Sequence, residues 1–368
     1  MLLTTPFIGG ALWRLGGRRS NPGPSITRVL GPDADAAGHA RVYAPRPFRF
    51  PDDHAAHPDY RHEWWYFTGN LASPAGQSFG FQLTFFRFAL RATPAHEESA
   101  WSTRHALLGH FAVTDITSGT FQAFQRLERP VLGISGWAEH PPQVWLRDWR
   151  MSLLNDTRWS LQATAPDVGM SLTVESTKPV IAQGVDGYSR KGTDPGNASL
   201  YYSQTRLEAR GAITLREVRH PVTGHAWLDR EWGSSALDAG TVGWDWFGLQ
   251  CSDGSELMLY VLRNADGGLG AFSAGSWCAP DGHVVPLARA AFAVRPRAHW
   301  RSPSTGTRYP SRWEIEVPAL GLKLDVSARV PDQEWRALFR YWEGCVEFRG
   351  SRSGLALHGT GYAELTGY

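Results

Sequence analysis

The chain is poor in cysteine and in net charge, and it has no long apolar run. Its three cysteines, Cys251, Cys278 and Cys345, are odd in number and far apart. That spacing gives neither a disulfide framework nor a metal-ligand set, so the fold has to hold without covalent staples. Basic residues number 37 against 35 acidic ones, which leaves almost no net field and removes nucleic acid as a partner. No stretch approaches the ~20 apolar residues of a membrane helix. Also missing are a Gly-x-Ser-x-Gly elbow, a phosphate-binding loop and a dinucleotide fingerprint, which excludes serine hydrolases of the usual kind and nucleotide enzymes. The start, Met1 to Trp13, is mildly apolar but lacks a basic region before it, and Arg14, Arg18 and Arg19 follow. It does not read as a cleavable signal peptide, so the chain is expected to be soluble or anchored only at its start.

Aromatic residues are plentiful: 17 Trp, 17 Phe and 11 Tyr. They suit strands and large apolar pockets. A length of 368 residues is enough for two domains. Residues 1–45, rich in Gly, Pro, Ser and Ala without periodicity, read as a disordered or loosely docked leader. The segment Phe50 to Glu63 holds His54, His57 and His62 among acids, but its spacing is not that of a helical zinc motif, and Pro51 and Pro58 argue against a helix. It reads as a structural loop, and no metal is expected.

Phe79, Phe81, Leu83 and Phe85 alternate with small or polar residues, the mark of a half-buried strand. The same alternation returns around Phe111, Trp159, Met170, Leu257, Trp313 and Leu322, with Gly and Pro between and no sustained helical period. Many short strands at near-regular spacing predict an all-β fold. The chain also repeats itself. Trp64-Trp65-Tyr66-Phe67 with the strand Phe79–Phe85 resembles Trp244-Asp245-Trp246-Phe247 with Leu257–Val261, and Ser199–Tyr202 parallels Phe339–Trp342. Two related β-domains follow, over residues 46–231 and 232–368. The Gly-rich segment Gly184–Asn197 reads as a connection or as a lid over a barrel mouth.

The densest chemistry lies in Gly224–Ser235 and Gly243–Phe247, which carry three carboxylates, an imidazole, a guanidinium and four indoles. On an extended backbone His225, Trp227, Asp229 and Glu231 fall on one face, and Ala226, Leu228, Arg230 and Trp232 on the other. Buried carboxylates cost free energy unless something satisfies or uses them. Two readings stay open here. In one, the acids pair with Arg230 or another arginine and lock the domain junction. In the other, a carboxylic acid among indoles keeps its proton and acts as an acid.

Four stretches together are similar to the AttH/carotenoid 1,2-hydratase family: His62–Leu71, Ser189–Gly192, Trp227–Trp232 and Gly243–Phe247. The ending Gly361–Tyr368 is similar too, so the resemblance runs from about residue 48 to the end. It implies two lipocalin-like, calycin-type β-barrel domains side by side with a pocket at their cleft. It also implies an enzyme without an organic cofactor that adds water across a C=C bond of a hydrophobic isoprenoid or lipid-like molecule. A non-catalytic carrier, a secreted hydrolase and a cyclase of the Diels-Alderase kind are the alternatives on the same fold. Asp229, Glu231 and Asp245 are the expected proton donors, and His225 would position or deprotonate the water. Trp64, Trp65, Tyr66, Trp227, Trp232, Trp244 and Trp246 would line the substrate site. The expected partner is a hydrophobic small molecule, with peripheral membrane association as one route of access. Members of the family are often exported to the periplasm.

Overall fold

The computed structural model describes residues 37–92, 103–234, 237–238 and 240–368. Thirteen strands build the first sheet: β1 (His62–Ala72), β2 (Ser78–Ala89), β3 (His105–Asp115), β4 (Thr120–Glu128), β5 (Ser135–Glu139), β6 (Pro142–Leu146), β7 (Trp149–Asn155), β8 (Arg158–Ala165), β9 (Val168–Ser176), β10 (Ile181–Ala182), β11 (Tyr188–Arg190), β12 (Ala198–Leu215) and β13 (Val218–Gly233). Ten more build the second: β14 (Thr241–Cys251), β15 (Glu256–Asn264), β16 (Ala274–Cys278), β17 (Val284–Ala288), β18 (Ala293–Arg301), β19 (Arg308–Val317), β20 (Leu322–Ala328), β21 (Glu334–Arg336), β22 (Arg340–Arg352) and β23 (Leu355–Thr366). Every ladder within the two sheets is antiparallel. Among the described residues no helix is long and apolar enough to cross a membrane.

The first sheet runs β4-β3-β2-β1-β13-β12-β9-β8-β7-β6-β5 and curls into a nearly closed barrel. The edge strand β4 reaches the far end of the sheet, where Arg126 donates to the Leu146 carbonyl of β6 at 2.9 Å and lies over the Trp149 ring of β7 at 4.3 Å. The second sheet, β17-β16-β15-β14-β23-β22-β20-β19-β18, forms a half-barrel. The two share one plan. In each, the first strand pairs with the second and with the last, and the last pairs with the long strand before it. This places the repeated aromatic segments on β1 and β14, the equivalent positions of both sheets.

Alternation decides which side chains fill each barrel. Trp65, Phe67 and Leu71 of β1 and Phe79, Phe81, Leu83 and Phe85 of β2 point into the first core with Trp149, Trp159 and Leu228. Phe247, Leu249, Trp313, Trp342 and Leu365 fill the second. Each such side chain contributes roughly 1.5–3 kcal/mol on leaving water. The opposite face of β2 is not solvated as a half-buried strand requires. Gln82 and Thr84 on that face are buried, because the outer faces of the two sheets pack on each other. Glycine permits this approach. A Cβ on Gly80 would meet Cys345 Sγ at 2.9 Å, and one on Gly248 would come within 3.3 Å of the Trp227 ring of the first sheet.

Strand β13 ends at Gly233 and β14 begins at Thr241, so the crossing between sheets falls at residues 234–240. Of the predicted leader, residues 1–36 lie outside the described residues, while Val42 is buried against Leu200, Tyr202 and Trp232. The histidine-rich loop is built into the first barrel. His54 Nδ1 lies 2.6 Å from Tyr202 Oη, and the His57 ring stacks on Trp232 at 3.9 Å. Among the described residues no group of His, Cys, Asp and Glu is arranged to hold a metal ion.

Candidate active site

Strand β13 splits its charges by parity. Arg230 faces the first barrel, where its guanidinium lies over the Trp65 ring at 3.9 Å. It meets Glu63 together with Arg87, and all three side chains are fully buried. The two guanidinium groups hold the Glu63 carboxyl well below the usual range, overcoming a burial effect of opposite sign. Arg230 therefore locks the barrel end and leaves the acids of the other face alone. Trp65 belongs to this barrel core and Trp232 to a second buried cluster at the barrel end.

On the outer face of β13 stand Trp227, Asp229 and Glu231, opposite Thr68, Tyr66 and Trp64 of β1. They look across at β14, β15, β22 and β23 of the second sheet. Between the sheets lies a cavity of about 120 Å³. Its aromatic wall includes Trp64, Tyr66, Tyr201, Trp244, Trp246 and Tyr260, with His62, Phe86 and Phe88 at one side. Four carboxyl groups line it, those of Asp229, Glu231, Glu343 and Glu364, with one ammonium, that of Lys191.

Each acid has its own surroundings. Asp229 accepts hydrogen bonds from Trp227 Nε1 at 2.7 Å and from the hydroxyls of Ser203 and Tyr201. Burial nevertheless dominates and raises its pKa to about 6. Glu231 is paired with Lys191 Nζ at 3.0 Å and accepts from Ser199 Oγ. Burial alone would lower the Lys191 pKa, but the Glu231 carboxylate reverses this and the ammonium is held charged. Its Nζ also lies 4.5 Å from the Tyr260 ring centre.

Glu343 and Glu364 face each other directly across the β22–β23 ladder. Glu364 accepts from Trp244 Nε1 at 3.1 Å. Burial, then the charges of Asp229 and Glu231, push it up to about 8 in spite of that bond. Glu343 accepts from Tyr66 Oη. Burial and the Glu364 charge carry its pKa well above the carboxylate range. The cavity thus holds acids with and without their protons at neutral pH.

The structure places the other expected site residues elsewhere. Asp245 points to the half-barrel side of β14, where Arg263 Nε lies 3.0 Å away and Tyr368 Oη donates at 2.9 Å. Its parity is opposite to that of Trp244 and Trp246, so it cannot reach the cavity. Burial outweighs Arg263 and leaves its pKa raised. His225 is exposed, beside Asn70 and Glu208. It shares the face of Asp229 but lies four residues, two pleats, along the strand, and Trp227 stands between them, edge-on to Trp246 at 5.9 Å. Trp227 itself sits behind the wall, as donor to Asp229. Sequence reasoning missed Lys191, Tyr201, Gln82, Tyr341, Glu343 and Glu364 as site residues. Glu364 carried a signal, an acid within the alternating run Tyr362-Ala363-Glu364-Leu365, and Lys191 lay in a quoted motif. The facing of Glu343 and Glu364 depends on strand register, which no local pattern reveals.

An all-β pair of lipocalin-like sheets enclosing an acid-lined aromatic cavity defines the class of protein. The chain belongs to the AttH-like family, whose model matches residues 41–368. A solved structure assigned as AttH from Nitrosomonas europaea is 34% identical, covers 89% of this chain and 99% of its own, and superposes with a TM-score of 0.80. Kievitone hydratase from Nectria haematococca shares the fold at 13% identity, with a TM-score of 0.69 over 89% of this chain and 95% of that one. By sequence, kievitone hydratase of Fusarium solani subsp. phaseoli is 23% identical over 212 residues, and the dehydratase asqC of Emericella nidulans is 21% identical over 235 residues. Those matches cover 55% and 57% of this chain, and the chain spans 58% and 62% of the length of the two relatives.

Proposed function

We propose that the protein is a hydro-lyase that adds or removes water at a C=C bond of an apolar, isoprenoid-type or lipid-like molecule bound between the two sheets. The observation that carries this reading is the pair Asp229 and Glu364, two acids of one aromatic-walled cavity with pKa values of about 6 and about 8. Acid–base catalysis calls for groups whose surroundings separate their protonation states in this way. The names of the hydratase and dehydratase relatives agree with chemistry of water addition and loss.

In the forward direction the Glu364 carboxyl gives its proton to the less substituted alkene carbon. The C=C π pair forms the new C–H bond, and positive charge develops at the other carbon. The faces of Trp64, Trp244 and Trp246 stabilise that cation by about 1–2 kcal/mol where water is excluded. One water adds to the cation, and the Asp229 carboxylate takes the proton the water loses. The product is an alcohol, and a proton passing from Asp229 back to Glu364 resets the site. The reverse sequence eliminates water.

Incubation of the protein with acyclic isoprenoid alkenes and with the matching tertiary alcohols in ¹⁸O-labelled water tests this. A mass gain or loss of one water, with label in the alcohol, is expected. Glu364→Gln keeps the size of the group and removes the transferable proton, lowering turnover by about 10²–10⁴-fold. An unchanged bound ligand, which would mean a carrier, or an isomer, which would mean a cyclase, overturns the hydro-lyase assignment.

A further inference from the structure

Two polar atoms in the cavity wall are left over by the chemistry above. Glu343 Oε1 accepts from Tyr66 Oη, while Oε2 has no hydrogen-bond partner within the protein. Gln82 Nε2 donates to Thr84 Oγ1 at 3.1 Å and to Tyr341 Oη at 3.3 Å, while its Oε1 also has no partner. Both side chains are 1% exposed and both line the cavity. They belong to one patch of wall, since Tyr341, which Gln82 contacts, lies two residues before Glu343 on the same face of β22. Buried polar atoms without partners are uncommon and costly, and two in one cavity point to a ligand that completes them.

We propose that Gln82 and Glu343 form a recognition point for a hydroxyl group, alcoholic or phenolic, carried by the apolar substrate. The assignment rests on the cavity being the substrate site and adds to it the chemical class of the substrate. The complement is specific. Burial favours the neutral form of Glu343, and a neutral carboxyl offers an O–H that needs an acceptor. Gln82 Oε1 needs a donor. A hydroxyl supplies both at once, a carbonyl supplies only the acceptor, and a hydrocarbon supplies neither. An apolar pocket with a few unmet polar atoms orients its ligand in this way, and a site built to bond a hydroxyl rejects the analogue that lacks it.

Titration of the full chain with 4-hexylphenol and with hexylbenzene, followed by quenching of tryptophan fluorescence, tests the site without turnover. The protein is expected to bind the phenol about 10- to 100-fold more tightly than the hydrocarbon. Gln82→Leu reduces that preference by about 10-fold, and Gln82→Leu with Glu343→Met abolishes it. Circular dichroism checks folding, and where the double variant does not fold the single variant decides. Equal affinities in the unmodified protein, no binding of either probe, or a preference untouched by Gln82→Leu overturns the proposal. A phenol preference without any gain or loss of water in the isoprenoid assay would remove the hydro-lyase reading and leave this site standing. Turnover without the preference would do the reverse.

Discussion

Asp229 and Glu364 are both buried carboxyls, yet their neighbours give them different work. Three donors hold Asp229 near 6, while one indole N–H and two nearby carboxylates leave Glu364 near 8. Activity that needs the first ionised and the second protonated rises as pH passes about 6 and falls as it passes about 8. A bell-shaped profile of turnover with its maximum between those values is expected, and a profile flat from pH 5 to 9 would contradict the assignment. The same shift sets a stability effect. The folded pKa of Glu364 lies above its usual value of 4.5, so its contribution is fully present below pH 4.5 and is lost as pH rises towards 8. Glu364→Gln has no proton to lose. Its melting temperature should therefore exceed that of the unmodified protein at pH 8 and approach it at pH 4.5, while its turnover falls. Gain of stability with loss of activity is the signature of an acid held for chemistry rather than for packing.

Strand β13 shows how one element serves two purposes. Because successive side chains face opposite ways, Arg230 is sealed inside the barrel with Glu63 and Arg87, one residue from both Asp229 and Glu231 in the cavity. Glu63→Gln leaves two buried guanidinium groups facing a neutral amide. It should cost about 3–5 kcal/mol in denaturant unfolding, the amount typical of breaking a buried pair. Asp245→Asn strands only Arg263, whose side chain is 20% exposed and can reach water. A smaller cost of about 1–3 kcal/mol is expected, with turnover little changed, since Asp245 lies outside the cavity. Turnover abolished by Asp245→Asn in a protein of near-normal stability would return that residue to the catalytic set.

At the scale of the whole molecule the cavity exists only while the two sheets stay together. Buried polar contacts cross the junction. Glu256 of the second sheet is gripped by Lys178 Nζ at 2.7 Å and Arg206 Nε at 2.5 Å from the first. Gln250 Nε2 donates to the carbonyls of Thr205 at 2.8 Å and Ala226 at 2.9 Å. Removing the Glu256 charge leaves Lys178 and Arg206 without their carboxylate at the seam. Glu256→Gln is therefore expected to split calorimetric unfolding into two transitions and to weaken ligand binding, although Glu256 touches no ligand. A single transition at an unchanged temperature would show that apolar packing alone fastens the sheets.

The sequence by itself determined the all-β class, the repeat of two related sheets and the shared strand face of Trp227, Asp229 and Glu231. Those properties follow from the two-residue period of a strand, which is local, and from long motifs that name a family. It could not separate Asp245 from Asp229, because parity says which residues share a face of one strand and not which face meets the cavity. Nor could it make Glu343 and Glu364 neighbours, or free Asp229 from Arg230, since both depend on register between strands distant in the chain. Only the packing of one sheet's outer face on the other's decided these. It turned half-wet strand faces into the walls of a buried cavity, and burial is what moves carboxyl protons into the neutral range.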